Sequence, residues 1–537
     1  MSQYFAMLIQ MLTFSMSAFG QTFFDPHKAF ELPSQEKAVL VDVREAEEVK
    51  LGMAKGALWF PLSRVQGHTE DLEKFLANLS KDKLSLVYCR SGRRAETFVK
   101  ILRERGFSAE NLGGFDAWVQ AGLPVTKGSA MTATKSDRIG SIHRRSHALA
   151  KDVVNFWMRS GVDWENGGFY GRNDLGGHPD SKADKGLIQQ ARHLWTFAFL
   201  RELKFDDQES AFAPISDHAF RFLSRFYVPE VGFFRFQMDA TGSYFTDPTE
   251  QFYGNAFAIY SLAQYALVTK EHKVSAQDLA LSAYRTLVQR GFDSKDGGFD
   301  QTNDPWYFTS DQRTRGFVKD YNTHLHLLEA FTVLYRLTND ADVGDKLENL
   351  VDVFLDKMIG GREYIPLVFH KDWSSSYDQT VSYGHDIESV WLIHEALRVL
   401  GRGDEKSALD KLVKVGSHAV RHGVDPDLGG WFEEGIFGQG VTKTNKVWWA
   451  QAEALPGLWK MYQWTNDVCY LDQIDNTRDW IEEYQRKKDV GEWYWEVKAN
   501  GTPDLSRYGD IGSHWKTSYH TTRALVLLKE WTDSYVK

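Results

Sequence analysis

The rhythm of hydrophobic and polar positions changes once along this chain. Up to about residue 126, short apolar runs alternate with amphipathic stretches. Residues 38–42 and 84–88 read as buried strands, and 71–79 and 94–105 as helices. That alternation predicts an α/β unit with a parallel sheet. Residues 127–137 are small and polar and read as a linker. From residue 138 strand signals fade, and long helical periodicities such as 187–203 and 255–268 dominate.

Short Gly-aromatic turns punctuate these helices. Asp163-Trp-Glu-Asn-Gly-Gly-Phe169 recurs as Asp293-Ser-Lys-Asp-Gly-Gly-Phe299 and as Asp425-Pro-Asp-Leu-Gly-Gly-Trp431. Weaker copies stand at Val231-Gly-Phe233, Gly360-Gly361 and Val490-Gly-Glu-Trp493, so the period is about 65 residues and six copies fit. Each copy is long enough for two helices and their loops, and a hairpin alone cannot bury its apolar face. Neither 140–160 nor 520–537 carries the polar face an open stack needs at its ends. Six hairpins closing into an (α/α)6 barrel are therefore expected.

The first twenty residues read as a signal peptide with an Ala18-Phe-Gly20 cleavage site, although Lys and Arg are missing ahead of the apolar run. Export to the periplasm or outside the cell is the corresponding expectation, with a cytoplasmic location as the alternative. No other stretch is apolar enough for a membrane span. The formal charge of −10 and the lack of a basic block argue against nucleic acid as a partner. The content of 18 Trp, 22 Tyr and 35 Phe is high; most of these rings are expected in the core, and the rest suit sugar faces. Cys89 and Cys469 fall in different predicted domains, so no structural disulfide is expected between them.

Ionisable residues inside apolar helices carry the chemistry. Arg192, Asn255, His326, Glu388, Glu453 and His520 recur every 62 to 71 residues, and His385 precedes Glu388 by three. One phase in successive repeats of a closed barrel points at one cavity. His324 and His326 are an i, i+2 pair, whose side chains diverge on a helix and so do not form a metal site; no metal or other cofactor is expected. Imidazoles near neutral pKa suit removal of a proton α to an aldehyde. A fixed cation such as Arg192 suits the enediolate that results. Carboxylates alone would suit glycoside hydrolysis; a sugar-binding scaffold without turnover is a third reading.

At these residues the chain resembles the N-acylglucosamine 2-epimerase superfamily, and within it most closely the cellobiose 2-epimerases. The likeness rests on Arg192-His-Leu-Trp195, Asn322-Thr-His-Leu-His326, Ser382-Tyr-Gly-His385-Asp-Ile-Glu388, Trp448-Trp-Ala-Gln-Ala-Glu453, Gly491-Glu-Trp493 and Trp515-Lys-Thr-Ser-Tyr-His520. It implies an (α/α)6 barrel, with His385 and His520 removing and returning the C2 proton of a mono- or disaccharide. It implies that His326 assists ring opening and that Arg192 holds the C1 and C2 oxygens. Asn255, Glu388 and Glu453 would contact or orient substrate, and Trp391 and Trp449 would pack on sugar rings. Mannose isomerases share the skeleton, so an aldose–ketose shift stays open. The front region resembles a rhodanese through Val41-Asp-Val-Arg44, Cys89-Arg-Ser-Gly-Arg-Arg94 and Leu112-Gly-Gly-Phe-Asp-Ala-Trp118. It implies a persulfide on Cys89, a small sulfur donor, and anion contacts from Arg90, Arg93 and Arg94. The His often found before the Gly-Ala turn is absent, since Leu51-Gly-Met-Ala-Lys-Gly-Ala57 stands there.

Overall fold

The computed structural model describes residues 22–126 and 135–536, apart from 35–36, 50–51, 63–64, 66–68, 78, 302–311, 313–314, 376–378 and 426–427, together with the backbone of 15–16. The signal-peptide reading of 1–20 and most of the expected linker lie outside the described residues. The chain divides at Arg138–Ile139 into two compact units.

The first unit is built on four parallel strands, β1 (Ala38–Asp42), β2 (Leu58–Trp59), β3 (Leu84–Cys89) and β4 (Ala109–Gly114), in the order β2-β1-β3-β4. Helices α1 (Pro26–Ser34), α2 (Thr69–Ala77) and α3 (Arg93–Glu104) cover it. Leu40, Val41, Leu86 and Val87 are buried, as strands covered on both faces require.

The boundary falls inside α4 (Lys135–Ser160), whose first turn takes in Lys135, Ser136 and Asp137, and the rest of α4 opens the second unit. Those three residues are expected in the linker but are helical, so the helix starts earlier than the small, polar composition of 127–137 suggests. Helices then alternate between two roles. The inner ones are α5 (Leu187–Glu202), α7 (Phe252–Val268), α9 (Tyr321–Thr338), α11 (Tyr383–Val399), α13 (Trp448–Thr465) and α15 (Tyr519–Asp533). The outer ones are α4, α6 (Glu209–Leu223), α8 (Lys273–Gly291), α10 (Ala341–Asp352), α12 (Lys406–Gly423) and α14 (Cys469–Trp480). Each inner helix packs on the next, and α15 returns to α5, so the ring closes. The burial pattern follows from position. Every residue of α5 from Leu187 to Leu200 is buried, whereas α10 buries only one stripe, including Val343, Leu347 and Leu350.

The Gly-Gly-aromatic turns bolt the inner helices in place. Both glycines of each complete copy adopt positive φ, for example 74° at Gly297 and 70° at Gly298, which side chains rarely tolerate. A buried lysine just ahead of the inner helix clamps each turn. Lys185 Nζ donates to Asp163 Oδ2 (2.7 Å), Lys319 Nζ to Asp293 Oδ2 (3.0 Å) and Lys446 Nζ to Asp425 Oδ2 (2.5 Å). A polar side chain on the helix then takes the turn's N–H. Gln190 Oε1 accepts from Phe169 N (2.8 Å), Asn255 Oδ1 from Phe234 N (2.9 Å), His324 Nε2 from Phe299 N (2.9 Å) and Gln451 Oε1 from Trp431 N (2.7 Å).

Candidate active site

Two residues beyond each of these pins, the inner helix has turned about 200° and faces the lumen. Arg192, Phe257, His326 and Glu453 are so placed, and with Glu388 and Arg523 on the other two inner helices they form a series spaced by 62 to 70 residues. His385 and His520 lie one turn before Glu388 and Arg523, on the same faces. A cavity of about 290 Å³ opens there, lined among others by Arg192, His326, His385, Glu388, Trp449 and His520.

Each histidine has its Nδ1 engaged, which leaves Nε2 for the cavity. His326 Nδ1 lies 3.0 Å from Glu329 Oε2, His385 Nδ1 2.8 Å from Ser382 Oγ and His520 Nδ1 2.7 Å from Glu453 Oε1. Aromatic contacts fix the rings further. His326 sits 4.6 Å from Phe257, and Trp449 lies 4.5 Å from His385 and 6.1 Å from His520. Arg192 donates to Trp515 O (2.7 Å) and Tyr253 Oη (3.1 Å), its guanidinium 4.3 Å over the Phe257 ring.

Arg523 ties the site together from below. It donates to Glu388 Oε1 and Glu453 Oε1 at 2.7 Å each, and also pairs with Glu329. One buried cation therefore holds three carboxylates, two of which brace His326 and His520. Glu388, Glu453 and His520 lie close enough together to hold a metal ion, yet Arg523 already supplies positive charge to both carboxylates.

Burial sets the protonation states. It pushes the His385 imidazole down to about 3, and the His520 and His326 imidazoles below their ordinary value. All three are thus neutral near pH 7. Burial pushes Glu453 up to about 7 against the pull of Arg523, and burial with the neighbouring Glu453 charge pushes Glu388 well above the usual range. Burial alone would raise Glu329, but Arg523 and His326 outweigh it and hold that carboxylate low. The pocket thus keeps neutral bases beside a Glu388 carboxyl whose charged form burial disfavours and a Glu329 carboxylate that Arg523 stabilises.

Seven of the nine barrel residues singled out in the sequence meet around this cavity or directly behind it. Asn255 does not. Its amide is fully engaged by Phe234 N, Phe234 O and Gln251 O, so it pins a turn instead of lining the lumen. The lumen position of that repeat is Phe257. Trp391 also departs from expectation. It donates to Glu453 Oε2 (3.2 Å) and lies under Arg523, behind the carboxylates, where no sugar ring in the cavity would reach it. Arg523 and Glu329 were missed, although each stands three residues past a singled-out histidine in an apolar helix. That signal could have found them. Trp448 and Trp515, which open two of the motif blocks of the resemblance, also line the cavity, as do Trp495 and Tyr508, which carry no signal beyond the aromatic content.

In the first unit, Cys89 ends β3, is buried, and its Sγ accepts from Gly92 N (3.1 Å). Gly92, at φ 91°, caps α3, so the loop turns the Gly92 N–H toward the sulfur. Arg94 forms a two-point ion pair with Glu48 at 2.6 Å, so its charge is compensated instead of adding a bare cation to the loop. Arg90 and Arg93 lie half-buried beside it.

Comparison with known proteins agrees with this geometry. The family model described as N-acylglucosamine 2-epimerase (GlcNAc 2-epimerase) matches residues 168–524, and the rhodanese-like domain model matches 25–121. A cellobiose 2-epimerase of Bacteroides fragilis is 32% identical over 387 residues, covering 71% of this chain and 96% of its own. The solved structure of the cellobiose 2-epimerase of Bacillus thermoamylovorans superposes with a TM-score of 0.65 at 29% identity, covering 73% of this chain and 99% of the other. A thiosulfate sulfurtransferase of Actinobacillus succinogenes is 31% identical over 102 residues, 19% of this chain and 86% of that protein.

Proposed function

Since the chain belongs to the N-acylglucosamine 2-epimerase family and carries a rhodanese-like domain ahead of the barrel, we propose that it inverts C2 of the reducing-end sugar of a β-1,4-linked disaccharide such as cellobiose. The observation that carries this reading is the meeting of three neutral imidazoles and a fixed arginine around one cavity. With the sugar ring open, one histidine takes the C2 proton, and the electron pair moves into the C1–C2 bond to give a cis-enediolate. Arg192 neutralises the charge on its oxygens. A second histidine, neutral at rest, first takes a proton from solvent water and gives it to the opposite face of C2; the aldehyde re-forms, and the first histidine returns the captured C2 proton to solvent. His520 suits the base, because Glu453 behind it steadies the imidazolium. His385 is backed only by Ser382 and holds a proton weakly, which suits the donor. His326, braced by Glu329, assists ring opening. Trp449 packs against the sugar, and Glu388 orients a hydroxyl.

The test is incubation with cellobiose and product analysis by NMR. A glucosyl-mannose product supports epimerisation. A ketose product means the proton goes to C1 and the enzyme is an aldose–ketose isomerase. Release of glucose would instead mark a glycoside hydrolase.

For the first unit we propose sulfur transfer at Cys89. The thiolate attacks the outer sulfur of a donor such as thiosulfate, the donor S–S bond breaks, and sulfite leaves. Sulfite release that vanishes in Cys89→Ser supports it, and release that persists refutes it. We also propose export with cleavage before Gln21, which the N-terminal residue of the secreted protein tests.

A further inference from the structure

The barrel lumen opens a second time behind the ion cluster, in a cavity of about 260 Å³. Its walls come from the inner helices, one to two turns past the catalytic residues. Trp195, Tyr260, Trp391 and Trp531 stand around it, and Glu329 and Arg523 form its floor. Trp195 and Tyr260 lie nearly parallel, with centroids 5.1 Å apart and planes at 19°. Trp391 meets Trp531 edge-on at 6.2 Å and 71°.

The charges near this cavity are matched to one another. At the rim Arg336 pairs with Glu202 (3.0 Å), and Arg398 with Glu395 (3.0 Å). On the floor Arg523 serves Glu329, Glu388 and Glu453. A charged ligand would have to break an existing pair. A sugar would find most of its hydroxyls poorly served, because Trp195 Nε1 and Arg523 Nε are buried donors without a partner while the charged groups pair with each other, and one such donor suits the single oxygen of a phenol. What the cavity offers a visitor is aromatic surface. Water, which needs two to four polar partners in such a space, is poorly held between indole and phenol rings. A flat apolar ring is favoured there by area burial and by edge or offset stacking.

We propose that this rear cavity is a second ligand site, for a small uncharged aromatic compound of the phenol or indole class, and that its occupancy alters catalysis. The coupling runs through the floor: Glu329 braces His326, and Arg523 holds the Glu453 carboxylate that braces His520. Only the coupling rests on the function proposed above; the binding does not.

The probe is para-bromophenol with the full chain. Crystals soaked in it should give bromine anomalous signal between Trp195 and Trp531. Calorimetry should give one site per chain. Leu527→Trp on α15 fills the cavity, as does Val333→Phe on α9 should the first variant fail to fold. Either should weaken probe binding by about tenfold or more, which is ~1.4 kcal/mol. In the parent, saturating probe should shift kcat for the sugar, and in the filled variant it should not. Bromine in the catalytic cavity or nowhere, or unchanged affinity in both filled variants, overturns the site. A kcat insensitive to saturating probe overturns the coupling. If the parent converts no sugar, the reaction proposed above falls, while the bromine position still decides this site.

Discussion

His324 and His326 are two residues apart on α9 and have opposite lives. His324 faces the Gly-Gly-aromatic turn. Its Nδ1 bonds Asp320 O (2.6 Å), its Nε2 accepts from Phe299 N, and burial pushes its imidazole down to about 3. His326 faces the lumen with Nε2 open to the cavity and a carboxylate behind it. The same contrast runs around the ring, with Gln190, Asn255 and Gln451 on the turn side and Arg192, Phe257 and Glu453 on the lumen side. Buried polar residues of one kind hold the barrel shut, and those of the other kind do the chemistry. A step of two along the helix separates them.

Breaking the lumen layer should have the largest effect. His520→Ala should lower kcat by about a hundred- to ten-thousandfold. Its melting temperature should stay close to the parent's, as paired kinetics and calorimetry would register. Breaking the turn layer should do the reverse. Lys319→Met leaves the buried Asp293 carboxylate without its cation, and should reduce stability by about 3–5 kcal/mol in urea titration. Residual kcat in the folded fraction should be much less affected. A milder break is His324→Leu, which orphans the buried Phe299 N–H at about 1–3 kcal/mol, with kcat near that of the parent. If His324→Leu proved as inactive as His520→Ala at full stability, the division into two layers would fail.

Much of the barrel was legible because its signals repeat. The Gly-Gly-aromatic turns gave the period, and the apolar helices between them gave the inner ring. The phase was legible only to within a helical turn. Asn255 and His520 fell into the same 62–71-residue series as Arg192, yet Asn255 belongs two residues earlier in its repeat and His520 three residues before Arg523. Spacing alone does not resolve a shift of two when loop lengths vary between repeats. Lys185, Lys319 and Lys446 were overlooked as clamps because a lysine beside a loop ordinarily reads as solvated; its burial depends on an aspartate some twenty residues upstream. The resemblance places Trp391 on the sugar, and a match to a family motif does not give depth in the lumen.

The smallest expected effect sharpens the comparison through pH. The fold holds His385 at about 3, below its ordinary 6.5, so it favours the neutral form. The corresponding stability is complete above pH ~6.5 and is lost as pH falls from there toward 3. His385→Gln should therefore flatten the decline of the melting temperature between pH 7 and pH 4 while abolishing conversion.

The central claim is that imidazoles on separate inner helices move a proton at C2. Conversion of cellobiose in deuterated water reads this directly. The product is predicted to carry deuterium at C2 of the reducing-end sugar, and the label should disappear in His385→Ala and His520→Ala. An epimerised product that keeps its original C2 protium would contradict it.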